Sequence, residues 1–330
     1  MQLWRLTVEN NYQNNNFKSN KKIFAILPKS IGGRLTTSSI AEGFKQNGFE
    51  ITRYDELLDE PYSNFNDFNY DYIVGYDFSP VKFKIDNKLN IPCVAYFSDV
   101  IYSPASESYY KEYYNFLKKD DIFVFYWDRA LTKKENALNK DFNIFYQPHF
   151  VNTEIYKNFS KPRYDVLFMG RLDTSLRLNT FIELNKLCKD VSFHWYAIKK
   201  HYESAISRLN AEDREIIKKA YKGFIDNEID MAKTINDYKI VYNINAQGET
   251  SLNYRTFQVL ACKRLIISDF REELDLFKGI IPTYSSVQDL AQKILFYLKN
   301  EDEYEKITSL LEEITLKNHS AKLCIADILR

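Results

Sequence analysis

Apolar residues along this chain fall in short runs bounded by turn residues, with longer stretches of mixed character between them. The first run, Ile23 to Leu27, leads through Pro28-Lys-Ser-Ile-Gly-Gly-Arg34 into a helix-like stretch, Thr36 to Asn47, that ends at Gly48. This pattern predicts a strand, a glycine loop and a helix. Phe49 to Tyr54, Tyr70 to Gly75, Cys93 to Phe97 and Ile122 to Tyr126 repeat the theme between helical spacers. Such alternation predicts a parallel sheet covered by helices.

Pro148 to Thr153 reads as a connector, and Lys161-Pro-Arg precedes a fresh strand, Tyr164 to Met169, that turns at Gly170. The pattern then repeats as helix Leu176 to Cys188, strand Val191 to Ala197, polar helix Ala211 to Ala220 and a short strand near Tyr221 to Phe224. Helix Ile229 to Tyr238, strand Ile240 to Ile244, helix Tyr254 to Ala261, strand Leu265 to Ser268 and helix Val287 to Leu298 follow. The chain therefore predicts two Rossmann-like, doubly wound α/β domains, residues 1–153 and 154–310, with a helical segment 311–330 packing back on the first. Ligands are expected at the carboxyl ends of the strands and in a cleft that the two domains face.

The length of 330 residues suits two domains of roughly 150 each. Lys and Arg together number 45, as do Asp and Glu, so no global field favours nucleic acid or an anionic membrane. Any phosphate chemistry must come from local groups. Cys93, Cys188, Cys262 and Cys324 are far apart and show no zinc spacing, which suits a reduced cytoplasmic protein. No run approaches the ~18 to 20 apolar residues of a membrane helix, and the N-terminus lacks the apolar core of a leader. A cytoplasmic location without a transmembrane segment is expected. Peripheral membrane contact stays open, and Tyr109-Tyr110-Lys-Glu-Tyr113-Tyr114 suits an interface as readily as an acceptor groove.

Ser251-Leu-Asn-Tyr-Arg-Thr-Phe-Gln-Val-Leu-Ala-Cys262, followed by Leu265-Ile-Ile-Ser-Asp-Phe270 and Leu276-Phe277-Lys-Gly279, resembles the CgeB-like glycosyltransferases, a group with the GT-B fold. Tyr164-Asp-Val-Leu-Phe-Met-Gly-Arg171 is similar to the opening strand and loop of that family's donor domain, and Tyr221-Lys-Gly223 with Tyr238-Lys-Ile-Val-Tyr-Asn-Ile244 to its next stretch. In the first half, Ile91-Pro-Cys-Val-Ala-Tyr-Phe-Ser-Asp99 and Tyr146-Gln-Pro-His-Phe-Val-Asn152 are similar to family patterns. The likeness spans residues 90 to 325 and is strongest at 240 to 280. It implies a UDP- or GDP-sugar co-substrate, no tightly bound cofactor, and transfer to a glycan, glycolipid or protein acceptor such as a bacterial surface glycan.

Two positions depart from the family. Gln258 stands where a Glu usually accepts the donor ribose hydroxyls, and Lys263 where a Gly usually follows Ala-Cys. Gln still accepts and donates but lacks the charge that strengthens such bonds. These departures keep two alternatives open: a catalytically weakened partner subunit that binds sugar or nucleotide, and a nucleotide-sugar epimerase. The Glu-x7-Glu pair of the large retaining groups is absent, so the stereochemistry is open.

Within this resemblance the departing diphosphate is stabilised by backbone N–H groups at a helix N-terminus together with a cation. Arg255 is the expected catalytic cation, and Ser251 and Asn253 can cap its helix and contact phosphate. Gly170 and Arg171 follow a strand, where they suit an anion site or a tight turn with a solvated arginine. Tyr221 and Phe224 suit a nucleobase pocket or the core, and Gln258 the ribose. In the first domain Asp99 suits a general base on the acceptor hydroxyl or a helix cap, and His149 a catalytic cleft residue or a hinge contact. Gly32-Gly33-Arg34 is expected as an acceptor-side loop. There is no Asp-x-Asp motif and no metal-ligand spacing, so activity without a metal is expected.

Overall fold

The computed structural model describes residues 21–60, 62–63, 65–97, 115–138, 140, 143–245 and 248–329. They fall into two compact units, the described residues of 1–152 with 320–330 and those of 153–319.

The first unit runs β1 (Lys22–Leu27), α1 (Ile31–Gln46), β2 (Glu50–Asp55), β3 (Tyr72–Tyr76), α2 (Ser79–Asp86), β4 (Cys93–Phe97), β5 (Ile122–Tyr126), α3 (Arg129–Leu138) and β6 (Asn143–Tyr146). Its strands are parallel in the order β2-β1-β3-β4-β5-β6. Every residue of β4 is buried, as expected of an inner strand covered on both faces.

Helix α1 starts earlier than its glycines suggest. Ser30 caps it by accepting from the Gly33 N–H, so Gly32, Gly33 and Arg34 form its first turn and are not a loop. The cap outweighs the poor helix propensity of the glycines. Arg34 is committed as well, donating to both carboxylate oxygens of Asp55 at 2.6 and 2.5 Å.

The second unit comprises β7 (Tyr164–Met169), α4 (Ser175–Leu187), β8 (Phe193–Tyr196), α5 (Lys199–Ser207), α6 (Ala211–Ala220), β9 (Tyr221–Gly223), α7 (Glu228–Asn236) and β10 (Tyr238–Asn243). Then come α8 (Tyr254–Ala261), β11 (Leu265–Asp269), a 3-10 turn (Glu272–Phe277), β12 (Thr283–Tyr284), α9 (Val287–Lys299) and α10 (Glu301–Asn318). The parallel order is β12-β11-β10-β7-β8-β9, the strand order of a dinucleotide-binding fold, in which winding reverses between β7 and β10. The crevice of such a sheet therefore opens at the carboxyl ends of these two strands.

The last helix, α11 (Ala321–Ile328), belongs to the first unit, while α10 belongs to the second. It lies against α1, where Gly43 makes room: a Cβ there would sit 2.5 Å from Ile325 and 2.7 Å from the Ala321 carbonyl. Asn47 also donates to the Lys322 carbonyl at 2.9 Å, and the Ala321 N–H to Val151 at 2.8 Å.

His149, expected as a cleft residue or a hinge contact, packs among core residues of the first unit. It is 4% exposed, its ring centroid lies 4.9 Å from that of Trp127 and 5.6 Å from that of Tyr96, and Nδ1 is 3.4 Å from the Tyr96 hydroxyl. Burial pushes its pKa down to about 3, so the ring is neutral across the physiological range.

Two predictions follow from this packing. Gly43→Ala should destabilise the protein by about 1–3 kcal/mol through overpacking against α11, whereas Gly32→Ala, exposed in the first turn of α1, should stabilise it by about 0.5–1 kcal/mol in urea denaturation. Because His149 stays neutral when folded but titrates near 6.5 when unfolded, stability is lost as pH falls below that value. The loss from this one group should reach about 2 kcal/mol between pH 7 and pH 5. His149→Phe should flatten the dependence, and an equally steep curve in that variant would assign it to other groups.

Candidate functional site

At the reversal point of the second sheet, β7 is followed by Gly170, whose φ of +136° suits glycine. Its N–H donates to the Tyr196 carbonyl at 3.1 Å, and its own carbonyl accepts from Trp195 Nε1 at 2.8 Å. This turn is thereby fixed to β8.

From β10 the chain passes to α8 through a set of amides that satisfy one another. Asn253 caps α8 by accepting from the Thr256 N–H at 3.2 Å and donates through Nδ2 to Asn243 Oδ1 at 2.7 Å. Asn245 Oδ1 accepts from the Asn253 N–H at 3.2 Å and from Asn243 Nδ2 at 3.1 Å. The Nδ2 of Asn245 donates to Asp269 Oδ1 at 2.8 Å and to Ser268 Oγ at 3.1 Å. Asn243 and Asn245 are 5% and 7% exposed, so these bonds lie in a low-dielectric environment that strengthens them. The network fixes where the N-terminus of α8 begins.

Arg255 is the second residue of that helix. Its Nε and Nη1 are buried and have no hydrogen-bond partner among the described residues. Burial pushes its pKa down to about 10, with the Tyr156 hydroxyl opposing and the Arg177 charge reinforcing the shift, so the guanidinium is charged at neutral pH. Arg177, in the first turn of α4, donates through Nη2 to the Ile244 carbonyl at 2.7 Å, and burial likewise lowers its pKa. A helix N-terminus, a cation with two nitrogens unpartnered among the described residues and a second cation in electrostatic range are groups that can hold an anion with more than one charge.

Of the residues expected from sequence, Gly170, Asn253 and Arg255 thus lie on the elements of this edge, and Ser251 is fully buried just before the cap. Arg171 is half-exposed and ion-paired to Asp173 at 3.3 Å, while Arg177 is the one drawn inward. Tyr221 donates to the Ala197 carbonyl at 3.0 Å and stacks on Tyr202 at 4.3 Å, and Phe224 stands 45% exposed just past β9. Gln258 is 1% exposed and donates to the Tyr156 hydroxyl at 2.6 Å, which makes it part of the packing under α8. Asp99 lies outside the described residues, as do Tyr109, Tyr110, Tyr113 and Tyr114. Sequence reasoning missed Arg177, Arg271, Asn243, Asn245 and Asp269. The visible signal for the two asparagines was the abrupt appearance of Asn-Ile-Asn at the end of an apolar run.

Comparison with known proteins bears on the fold and on residues 184–330. Residues 184–330 match a family described as glycosyl transferase-like. No curated protein matches the sequence. Among solved structures, sucrose-phosphate synthase from Thermosynechococcus elongatus has a TM-score of 0.68 at 9% identity, covering 94% of this chain and 98% of that one. HepE from Anabaena, in complex with UDP and glucose, has a TM-score of 0.66 at 12% identity, with 94% and 99% covered. T4 phage BGT, in complex with its UDP-glucose substrate, has a TM-score of 0.59 at 14% identity, with 94% and 98% covered. At such identities the solved structures speak for the fold, and the matched family speaks for the activity. With that family across residues 184–330 and the fold shared over nearly the whole chain, the protein is a glycosyltransferase of the GT-B fold.

Proposed function

We propose that the enzyme transfers sugar from a UDP-sugar to a hydroxyl of a glycan, glycolipid or protein acceptor, without a metal, and that it belongs to the CgeB-like group in the cytoplasm. The observation that carries the donor assignment is the Arg255 guanidinium, whose buried Nε and Nη1 have no hydrogen-bond partner among the described residues. Holding a cation out of water is costly unless an anion completes it, and a diphosphate does so. UDP and UDP-glucose in the HepE and T4 phage BGT structures support uridine as the base.

In the transfer, the bond between the anomeric carbon and the distal phosphate oxygen breaks, and negative charge accumulates on the departing UDP. Arg255, Arg177 and the first N–H groups of α8 meet that charge with dipoles and cations already in place, so they stabilise the transition state more than the ground state. Two guanidiniums supply the positive charge that a divalent ion would otherwise bring. Gly170 allows close backbone approach to the donor, Asn253 and Ser251 hold the helix start, and the base side falls towards Tyr221 and Phe224. Asp99 is the proposed base for the acceptor hydroxyl.

Arg255→Ala should weaken UDP binding by roughly ten- to a hundred-fold in titration calorimetry, the loss of one or two charge-assisted hydrogen bonds. Transfer should persist in excess chelator. UDP affinity unchanged in the variant would remove Arg255 from the donor site, and activity abolished by chelator and restored by Mn2+ would overturn the metal-free reading.

A further inference from the structure

We infer that Arg271 is a positioning residue that sets the path of the loop between β10 and α8, and through it the aim of Arg255. The inference rests on the donor-site reading above. The described residues of the loop have no regular secondary structure, so their carbonyl groups need donors from elsewhere. Arg271 supplies them from the turn after β11: Nη2 donates to Asn245 at 2.9 Å, and Nη1 to Gly248 at 3.3 Å and Glu249 at 3.2 Å.

The neighbours of Arg271 tie the same loop at both ends. Asp269, whose Oδ2 is 3.5 Å from Arg271 Nε, accepts the Asn245 N–H at 2.9 Å and its Nδ2 at 2.8 Å on Oδ1. The Glu273 N–H donates to the Thr250 carbonyl at 3.0 Å, and its carboxylate accepts from the Thr250 hydroxyl at 3.0 Å. Asp269, Arg271 and Glu273 therefore grip Asn245 and residues 248–250 directly before the cap at Asn253. None of these bonds involves Arg255. The guanidinium is suited to the task because a rigid planar fork reaches several carbonyls at once, which a lysine ammonium on a flexible stem does not reproduce.

The test is titration calorimetry with UDP as the probe, on the full chain and on Arg255→Ala, Arg271→Lys, Arg271→Ala and the Arg255→Ala/Arg271→Lys double variant. Arg271→Lys keeps the charge and loses the fork, so it should weaken UDP by roughly ten-fold, as expected when a ligating group is misplaced by a fraction of an ångström to one ångström. Arg271→Ala should do the same to within two-fold, and the double variant should bind no more weakly than Arg255→Ala alone, because the effect passes through Arg255. Wild-type affinity in Arg271→Lys would overturn the inference, as would losses that simply add in the double variant, since Arg271 would then act on the ligand directly. If Arg271→Ala does not fold, the lysine variant and the double variant carry the test. Unchanged affinity in Arg255→Ala sinks the donor-site reading and this inference together, whereas a loss there with none in Arg271→Lys sinks this inference alone.

Discussion

A guanidinium held out of water with donors unspent is the constraint around which the second unit is organised. Among the described residues Arg255 Nε and Nη1 have no hydrogen-bond partner, and any carboxylate within reach would pair with them and close the site. Local structure solves this by making the supporting polar groups satisfy one another. Asn243, Asn245 and Asn253 form an amide ladder that fixes the backbone and carries no net charge. The one carboxylate in the ladder, Asp269, takes both nitrogens of Asn245 on Oδ1 and turns Oδ2 to Arg271. Neutral amides thus supply rigidity without quenching the cation, a preorganisation in which no donor needs to move when the anion arrives.

The two positions that differ from the CgeB-like pattern fall on the packing side of α8. Lys263 occupies the left-handed position after the helix, with φ of +54°, where a glycine would be unstrained. The Schellman pair is intact all the same: the Arg264 N–H donates to Val259 at 3.1 Å and the Lys263 N–H to Leu260 at 3.0 Å. Lys263 is also ion-paired to Glu305 of α10 at 3.0 Å, a contact glycine cannot make, which offsets part of a strain of about 1 kcal/mol. Gln258 likewise meets Tyr156 in the interior. Both substitutions therefore change how the helix is seated, while the charge at its N-terminus is set by Arg255 and the asparagine ladder.

What could be read from sequence follows the same division. Inner parallel strands are buried on both faces, so they appear as uninterrupted apolar runs, and Cys93–Phe97, Ile122–Tyr126 and Tyr164–Met169 match the observed strands residue for residue. The edge strands Asn143–Tyr146 and Thr283–Tyr284 lack that signal, since only part of each is covered. Helix Lys199–Ser207 escaped because Ile198 precedes it and no side chain caps it. The glycines of α1 misled because the Ser30 cap decided the local outcome. At the site, Arg255 and Asn253 were legible because a capping asparagine and a cation opening a helix after an apolar strand are local features. Arg177 and Arg271 were not, because what defines them is a carbonyl 67 or 26 residues away along the chain. An arginine that binds main-chain carbonyls and one that awaits an anion look the same in sequence. Only the strand order, which brings the ends of β7, β10 and β11 side by side, shows which guanidiniums reach main-chain carbonyls and which nitrogens of Arg255 have no partner among the described residues.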